Sequence, residues 1–379
     1  MIRLKSLSFK IAALAVSLSA ALIAGEILLR LVRPFTHIYY PAGKAFEAIY
    51  QSADDCVYEL KPDTQYKHYS YYGDFIATYR INAEGIRSDR IYGLAKPPGK
   101  SRVIILGDSF AFGRGVENSQ TSAAVLERLL NDGSNPLNRF EVLNLGILGY
   151  SLDNEFIYLK RKGLWFDPDC VLLMVFPRND IMDMRYHEWV RDAEGLPEKI
   201  IDRYYAVDTR NHLVNISNGT KNLASSRIKE FIRNHSMLYT FLSEYRYYPR
   251  KKWEALESLF KGAPPRSAGS APARRTFSME GASPEEKEMV ERACLLVQGM
   301  SDIAGKWGAR FVMVLIPDSI YDDYMLRFAR SRNIQVIDIN EHMRYDKVTG
   351  ISLPRDMHWS PFGNDYVARI LYNYLKDIL

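Results

Sequence analysis

The chain has 379 residues with a formal net charge of +5, 47% hydrophobic and 25% charged residues, and 25 tyrosines. That length and balance suit one large globular domain with insertions, or two modest ones, and exclude a disordered chain. The small charge collects on no single face or helix, which argues against nucleic-acid partners, and the three cysteines Cys56, Cys170 and Cys294 stand at no metal-like spacing, implying neither a zinc site nor a complete disulfide framework.

Arg3, Lys5 and Lys10 lead into an uncharged run from Ile11 to Gly25, followed by Glu26 and the apolar Ile27, Leu28, Leu29, Leu31 and Val32. Phe9 to Leu29 approaches the ~20 residues that span a bilayer, and a basic leader favours a cytoplasmic N-terminus with the remainder exported. Residues 1–33 are therefore expected to form an N-terminal membrane anchor helix. A cleavable signal peptide is the alternative, since Ser19 and Ala21 offer a small-residue cleavage site. Residues 34–100 are Tyr-rich and broken by Pro and Gly, with Phe75, Ala77, Tyr79 and Ile81 on one parity, and read as an accessory β-rich segment.

From residue 101 the pattern changes to strand and helix in alternation. Val103 to Leu106 is branched and apolar without alternation, as in a strand buried on both faces of a parallel sheet, and it runs into Gly107-Asp108-Ser109. Ligands in open α/β sheets sit outside the carboxyl ends of the strands, so Ser109 lies where a nucleophile is wanted, although Asp108 and Ser109 would also suit a loop cap. A helix is expected over Ser119–Leu130, a second strand over Phe140–Leu145, a helix over Ser151–Lys162 and a third strand over Asp169–Phe176. Gly146 and Gly149 follow the second strand, where they would let backbone approach a ligand or serve as turn glycines. Asn179 and Asp180 follow the third, as polar groups at the same edge or as caps.

Residues 182–283 interrupt the alternation and read as an inserted helical region, with an amphipathic pattern over Ile228–Tyr245 and a flexible linker over Gly262–Ser283. Ser283 then caps a helix to about Trp307, and strands are expected over Arg310–Ile316 and Ile334–Ile339. Before a closing helix from Pro361 stands Asp356-Met-His358-Trp. A serine hydroxyl is a weak nucleophile until an imidazole accepts its proton, and a carboxylate that fixes the tautomer steadies the imidazolium, so Ser109, His358 and Asp356 fit one catalytic set.

These motifs together resemble the SGNH (GDSL-type) hydrolase superfamily, especially its membrane-anchored bacterial members that modify envelope polysaccharides. Gly107-Asp108-Ser109-Phe110 is similar to the first block, Gly149 to the second-block glycine, Asn179 to the third-block asparagine and His358 to the base. The resemblance implies a three-layer α/β/α domain with a parallel sheet over residues 101–379. It implies Ser109 as nucleophile, and an oxyanion hole made by the Ser109 and Gly149 N–H groups and the Asn179 amide. Two positions depart from the pattern. Pro177 replaces the glycine two residues before Asn179, and the acid Asp356 stands two rather than three residues before His358, which leaves open a Ser-His dyad oriented by a backbone carbonyl. The implied function is a membrane-anchored serine esterase or O-acyltransferase acting on acyl, expected acetyl, esters of envelope glycans. No cofactor and no metal are implied, and the partners expected are an acylated carbohydrate or lipid substrate and the membrane. The alternatives are a lipase or thioesterase with a lid insertion, and a catalytically silent scaffold or glycan-binding protein of a polysaccharide assembly complex.

Overall fold

The computed structural model describes residues 2–32, 49–70, 74–132, 139–203, 205–207, 213–215, 236, 238–239, 276–317, 319–346, 348–354, 356–376 and 378. The chain divides into two compact units. One comprises Met1–Lys44, Tyr69–Phe75 and Thr220–Ser267, and its main described element is helix α1 (Ile2–Val32). In it Glu26 pairs with Arg30 at 2.8 Å and accepts hydrogen bonds from Ser236 Oγ and the Leu238 N–H. Among the described residues no helix is long and apolar enough to cross a membrane. The side chains of Phe9, Ile11 and Leu29, which the expected anchor includes, lie outside the described residues.

The second unit comprises Ala45–His68, Ile76–Gly219 and Ala268–Leu379. Its centre is a sheet of five parallel strands: β5 (Ser101–Gly107), β6 (Phe140–Asn144), β7 (Cys170–Val175), β12 (Arg310–Leu315) and β13 (Gln335–Asp338). Their spatial order is β13-β12-β7-β5-β6. All five expected strands form, each within two residues of its expected ends. Runs such as Ile104–Leu106 in β5 and Val171–Val175 in β7 are unbroken and apolar because helices cover both faces. Val103, Ile105, Val142, Leu172, Met174, Val312 and Val314 pack with α3 (Ser122–Asn131) and α9 (Pro361–Leu375) on one side. The alternate residues Ile104, Leu106, Leu143, Leu173 and Met313 are equally buried on the other, which α4 (Leu152–Arg161) and α6 (Pro284–Lys306) cover. Each such side chain taken from water contributes about 1.5–3 kcal/mol, so the sheet is the thermodynamic core of the unit.

The α6 N-terminus is set as its sequence dictates: Ser283 Oγ accepts the Glu286 N–H at 3.2 Å, and Glu286 reaches back to the Ser283 N–H at 2.9 Å. Two helices without a sequence expectation, α7 (Asp322–Ser331) and α8 (Ile339–Asp346), flank β13.

The segment before residue 101 forms two antiparallel hairpins, β1 (Tyr50–Ala53) with β2 (Val57–Leu60) and β3 (Thr64–Tyr69) with β4 (Ile76–Ile81). Phe75, Ala77, Tyr79 and Ile81 are buried as their shared parity requires. Among the described residues of the insertion, a 3-10 turn (Asp183–Tyr186) leads not into helix but into two hairpins, β8 (His187–Arg191) with β9 (Pro197–Asp202) and β10 (Tyr205–Val207) with β11 (Leu213–Asn215). Val190 and Ile201 supply branched residues, and Asp192-Ala-Glu-Gly195 turns between the strands with Gly195 at φ +81°. The helix expected over Ile228–Tyr245 lies almost entirely outside the described residues.

Candidate active site

The chain leaves β5 and pairs β6 on one side of it, then places β7 on the other, so a crevice opens where the connections diverge at the carboxyl ends of β5 and β7. Ser109 follows β5 and Asn179 follows β7, so both reach that crevice. Gly107 lies at φ +148°, and a Cβ there would stand 2.8 Å from the Met174 carbonyl oxygen of β7 and 2.8 Å from Ala111 Cβ. Only glycine lets the chain turn so close to its neighbour strand. Asp108 caps the short helix α2 (Ser109–Phe112), its Oδ1 accepting the Phe110 N–H at 2.8 Å. Ser109 is therefore the first residue of α2, and its own N–H has no acceptor within the helix.

Ser109 Oγ lies 2.6 Å from His358 Nε2, and His358 Nδ1 is hydrogen-bonded to Asp356 Oδ1. A carboxylate can only accept, so Nδ1 carries the proton and Nε2 is left to accept from the serine hydroxyl. Asp356 Oδ1 also accepts the backbone N–H of His358 at 3.1 Å, which fits the two-residue spacing. Burial raises the Asp356 pKa, but the hydrogen bond from His358 and the charges of His358 and Arg114 outweigh it, holding the carboxyl well below its ordinary range. Asp356 is thus ionised wherever the imidazole works, and it occupies the place a backbone carbonyl would take in a dyad.

The histidine is delivered by a loop closed at its base. Leu353 N–H donates to the His358 carbonyl at 2.9 Å, and Ser360 N–H to that of Ile351 at 2.7 Å. Ser360 caps α9, Pro361 occupies its first turn, and Asn364 accepts the Ser122 N–H of α3 at 3.0 Å while donating to the Trp359 and Ser360 carbonyls. Phe110, next to Ser109, packs its ring within 5.0 Å of the His358 and Trp359 rings and 4.8 Å of Phe176 at the end of β7. One aromatic ring thereby ties together the β5 turn, the β7 end and the histidine loop.

The two remaining residues expected at an oxyanion hole stand differently. Leu145 N–H donates to Ile105 O and Ile147 N–H to Gly107 O, so the chain after β6 stays alongside β5 and the Ser109 turn before Gly149 reverses it at φ +79°. Gly146 is what lets this segment lie so close: a Cβ there would meet Phe112 N at 2.2 Å and the Ala111 carbonyl carbon at 2.5 Å. Its neighbour is the α2 backbone, not a ligand. Asn179, in α5 (Pro177–Asp180), directs its amide Nδ2 to Asp108 Oδ2 at 3.0 Å, one residue from Ser109. That amide has two N–H donors and Asp108 takes one. Its Oδ1 is buried without a hydrogen-bond partner. Pro177, where the family pattern has glycine, opens α5 at a position that tolerates proline.

Three buried carboxyls crowd beneath this edge. Burial pushes the Asp108 pKa up, against the hydrogen bonds from Asn179 and the Phe110 N–H. Burial, reinforced by the charge of Asp108 and of other carboxylates, pushes Glu155 and Asp180 well up. Both Glu155 oxygens are buried without a hydrogen-bond partner. Among the described residues no group of three or more His, Cys, Asp or Glu side chains is arranged to hold a metal ion.

No family model and no curated protein matches the chain. Solved structures do resemble it. A protein of the lipolytic G-D-S-L family from Desulfitobacterium hafniense DCB-2 matches at 13% identity and TM-score 0.38, covering 72% of this chain and 99% of its own. A catalytic mutant of an acetylxylan esterase from Geobacillus stearothermophilus matches at 11% identity and TM-score 0.36, over 74% and 95%. A psychrotrophic esterase from Pseudoalteromonas sp. matches at 9% identity and TM-score 0.36, over 73% and 98%. The structural similarity to SGNH and GDSL lipolytic esterases is distant.

Four residues of the site do more in the structure than the sequence indicated. Phe110 and Asn364 lie beside motif residues and were legible only as apolar and polar neighbours. Asp108, read as a loop cap, also holds the Asn179 amide. Arg114 pairs with Asp356, Nη2 to Oδ2, at 3.4 Å, and only its place between Gly113 and Gly115 hinted at a special backbone path.

Proposed function

We propose that the protein is a serine esterase or O-acyltransferase acting on acyl esters of cell-envelope glycans, acetyl esters first among them. The observation that carries this reading is the continuous hydrogen-bond chain from Ser109 Oγ through the His358 imidazole to Asp356, at the carboxyl end of β5. In this reading Ser109 Oγ attacks the ester carbonyl carbon as its proton passes to His358 Nε2. The carbonyl π electrons move to oxygen, and that oxyanion is met by the N–H groups of Ser109 and Gly149 and the free N–H of the Asn179 amide. Collapse of the tetrahedral intermediate expels the alkoxide, which takes the proton from His358 and leaves an acyl-serine. Water then attacks the acyl carbon in hydrolysis, or a sugar hydroxyl in transfer, with His358 accepting the proton; the second tetrahedral intermediate collapses, the acyl–Oγ bond breaks and His358 returns the proton to Ser109 Oγ.

Attachment to the cytoplasmic membrane by the segment Phe9–Leu29, with the catalytic unit outside, belongs to this proposal and is supported by the basic leader and apolar run of the sequence. The test of function is turnover by the full chain on aryl esters of increasing acyl length and on acetylated glycans, with and without a free glycan acceptor. The proposal expects short-chain ester cleavage or acetyl transfer that disappears in Ser109→Ala. Turnover equal in wild type and Ser109→Ala, or confined to long-chain esters, would contradict it. A reporter active only after export, fused beyond Leu379, tests the topology.

A further inference from the structure

Asp356 sits in a loop, so neither a strand nor a helix fixes its side chain. Its Oδ1 is occupied by the two N–H groups of His358, leaving Oδ2 to be held from elsewhere. The cation at Oδ2 is Arg114, at 3.4 Å. Arg114 lies between Gly113 at φ +81° and Gly115 at φ +90°, in a loop immobilised from several directions. Its own N–H donates to the Ser109 carbonyl at 3.0 Å, and the Gly115 N–H to Tyr79 Oη at 3.0 Å.

The strongest hold on the loop comes from Arg87, 2% exposed, which donates to the carbonyls of Phe112 at 2.5 Å, Gly113 at 2.6 Å and Val116 at 2.5 Å, and to Asn118 Oδ1 at 3.1 Å. Its guanidinium also lies 4.3 Å from the Tyr79 ring centroid and 4.4 Å from that of Phe112. Burial lowers the Arg87 pKa to about 10, so it stays charged at physiological pH and its carbonyl contacts remain charge-assisted. Thus β4 and the turn after it, remote in sequence from the Ser-His-Asp set, determine where Arg114 points.

We propose that Arg114 is a positioning residue for the reaction: its ion pair with Asp356 holds the carboxylate against the His358 imidazole, and the Arg87-clamped loop delivers it. The inference rests on Ser109, His358 and Asp356 being the reacting set. The groups facing the imidazole are Ser109, Phe110, Asp356 and the charge of Asp108, while Arg114 and Tyr79 interact electrostatically with Asp356. Removing the guanidinium frees Oδ2 to rotate. It also removes a positive charge, which favours the imidazolium and moves the acid limb of the rate upward in pH.

The test is the rate at which a fluorophosphonate probe labels Ser109 between pH 5 and 9, in wild type, Arg114→Gln, Arg114→Lys, Asp356→Asn and the double variant Arg114→Gln/Asp356→Asn. Expected for Arg114→Gln are a loss of about tenfold, an acid limb raised by about half a pH unit, and loss of the low-field His358 Nδ1–H proton resonance at an unchanged melting temperature. Arg114→Lys keeps the limb in place and recovers part of the rate, and in the Asp356→Asn background Arg114→Gln costs nothing more. A wild-type rate and limb in Arg114→Gln, or the same fold loss with Asp356→Asn already present, overturns the proposal alone. If Arg114→Gln does not fold, Arg114→Lys with and without Asp356→Asn gives the same cycle. Wild type that the probe does not label removes the reading of Ser109, and this proposal with it.

Discussion

Replacing Asn179 by aspartate puts a second carboxylate where an amide now donates to Asp108 Oδ2 at 3.0 Å, beside a side chain that is 0% exposed. Two unit charges at that separation repel by about 5 kcal/mol at an effective dielectric constant of about 20. The pair escapes by keeping a proton, which costs about 1.4 kcal/mol for each pH unit above the ordinary carboxyl pKa of about 4. The new carboxyl's folded pKa is raised, so stability is retained below about pH 4 and lost as the pH rises. The expected penalty is therefore about 1 kcal/mol at pH 5 and about 5 kcal/mol at pH 8. Asn179→Ala loses only a hydrogen bond to a charged acceptor, about 1.5–3 kcal/mol, with weak pH dependence. Thermal melts of wild type, Asn179→Asp and Asn179→Ala at pH 5 and pH 8 separate these cases, and kcat for Asn179→Ala should fall on the order of a hundredfold if the second amide N–H meets the oxyanion. An Asn179→Asp protein that melts with wild type at pH 8 would refute the Asp108 contact, and an unchanged kcat in Asn179→Ala would remove Asn179 from the oxyanion hole.

Other expectations follow from the same packing. Gly146→Ala forces the α2 backbone aside and should cost about 3 kcal/mol, with ester turnover lost even where the protein still melts cooperatively; unchanged melting and turnover would contradict the approach described. His187 Nδ1 bonds Asp153 at 2.9 Å, and although burial lowers its pKa, the Asp153 charge outweighs that and raises it to about 10. The stability this ion pair supplies is complete below the unfolded pKa of about 6.5 and disappears as the pH rises through about 10. His187→Gln should therefore be less stable than wild type by about 4 kcal/mol at pH 7 and nearly equal to it above pH 10, as chemical denaturation would measure.

The sheet was readable because unbroken apolar strings such as Val103 to Leu106 and Cys170 to Val175 have one explanation in a globular chain, burial on both faces. Ser109 and Asn179 were readable as well, because polar groups follow those strings where strands end, whereas His358, twenty residues beyond β13, stood out through its neighbour Asp356 and the closing helix. What sequence did not disclose was side-chain traffic between distant segments. Arg87 reads as an ordinary surface cation until the carbonyls of Phe112, Gly113 and Val116 converge on it. Arg102, the second residue of β5, gives no hint that it is fully buried against Glu141 at 2.7 Å. Gly146 has the composition of a ligand loop, but its close neighbour is backbone of the same chain. The hairpins in the described part of the insertion were missed for a different reason: short strands such as β8 mix Trp189 and Val190 with exposed Glu188 and Arg191, so they lack the unbroken apolar signal of the core strands.

The central claim is that Ser109 is a nucleophile activated by His358, and covalent labelling tests it most directly. Full-length wild type, Ser109→Ala and His358→Ala are treated with a fluorophosphonate probe at pH 7.5 and the adduct is located by peptide mass spectrometry. The account predicts one phosphonylated residue, Ser109, in wild type, none in Ser109→Ala, and labelling of His358→Ala slower by a factor on the order of a thousand or more. Wild type left unmodified, modified at another serine, or labelled equally fast without His358 would contradict it.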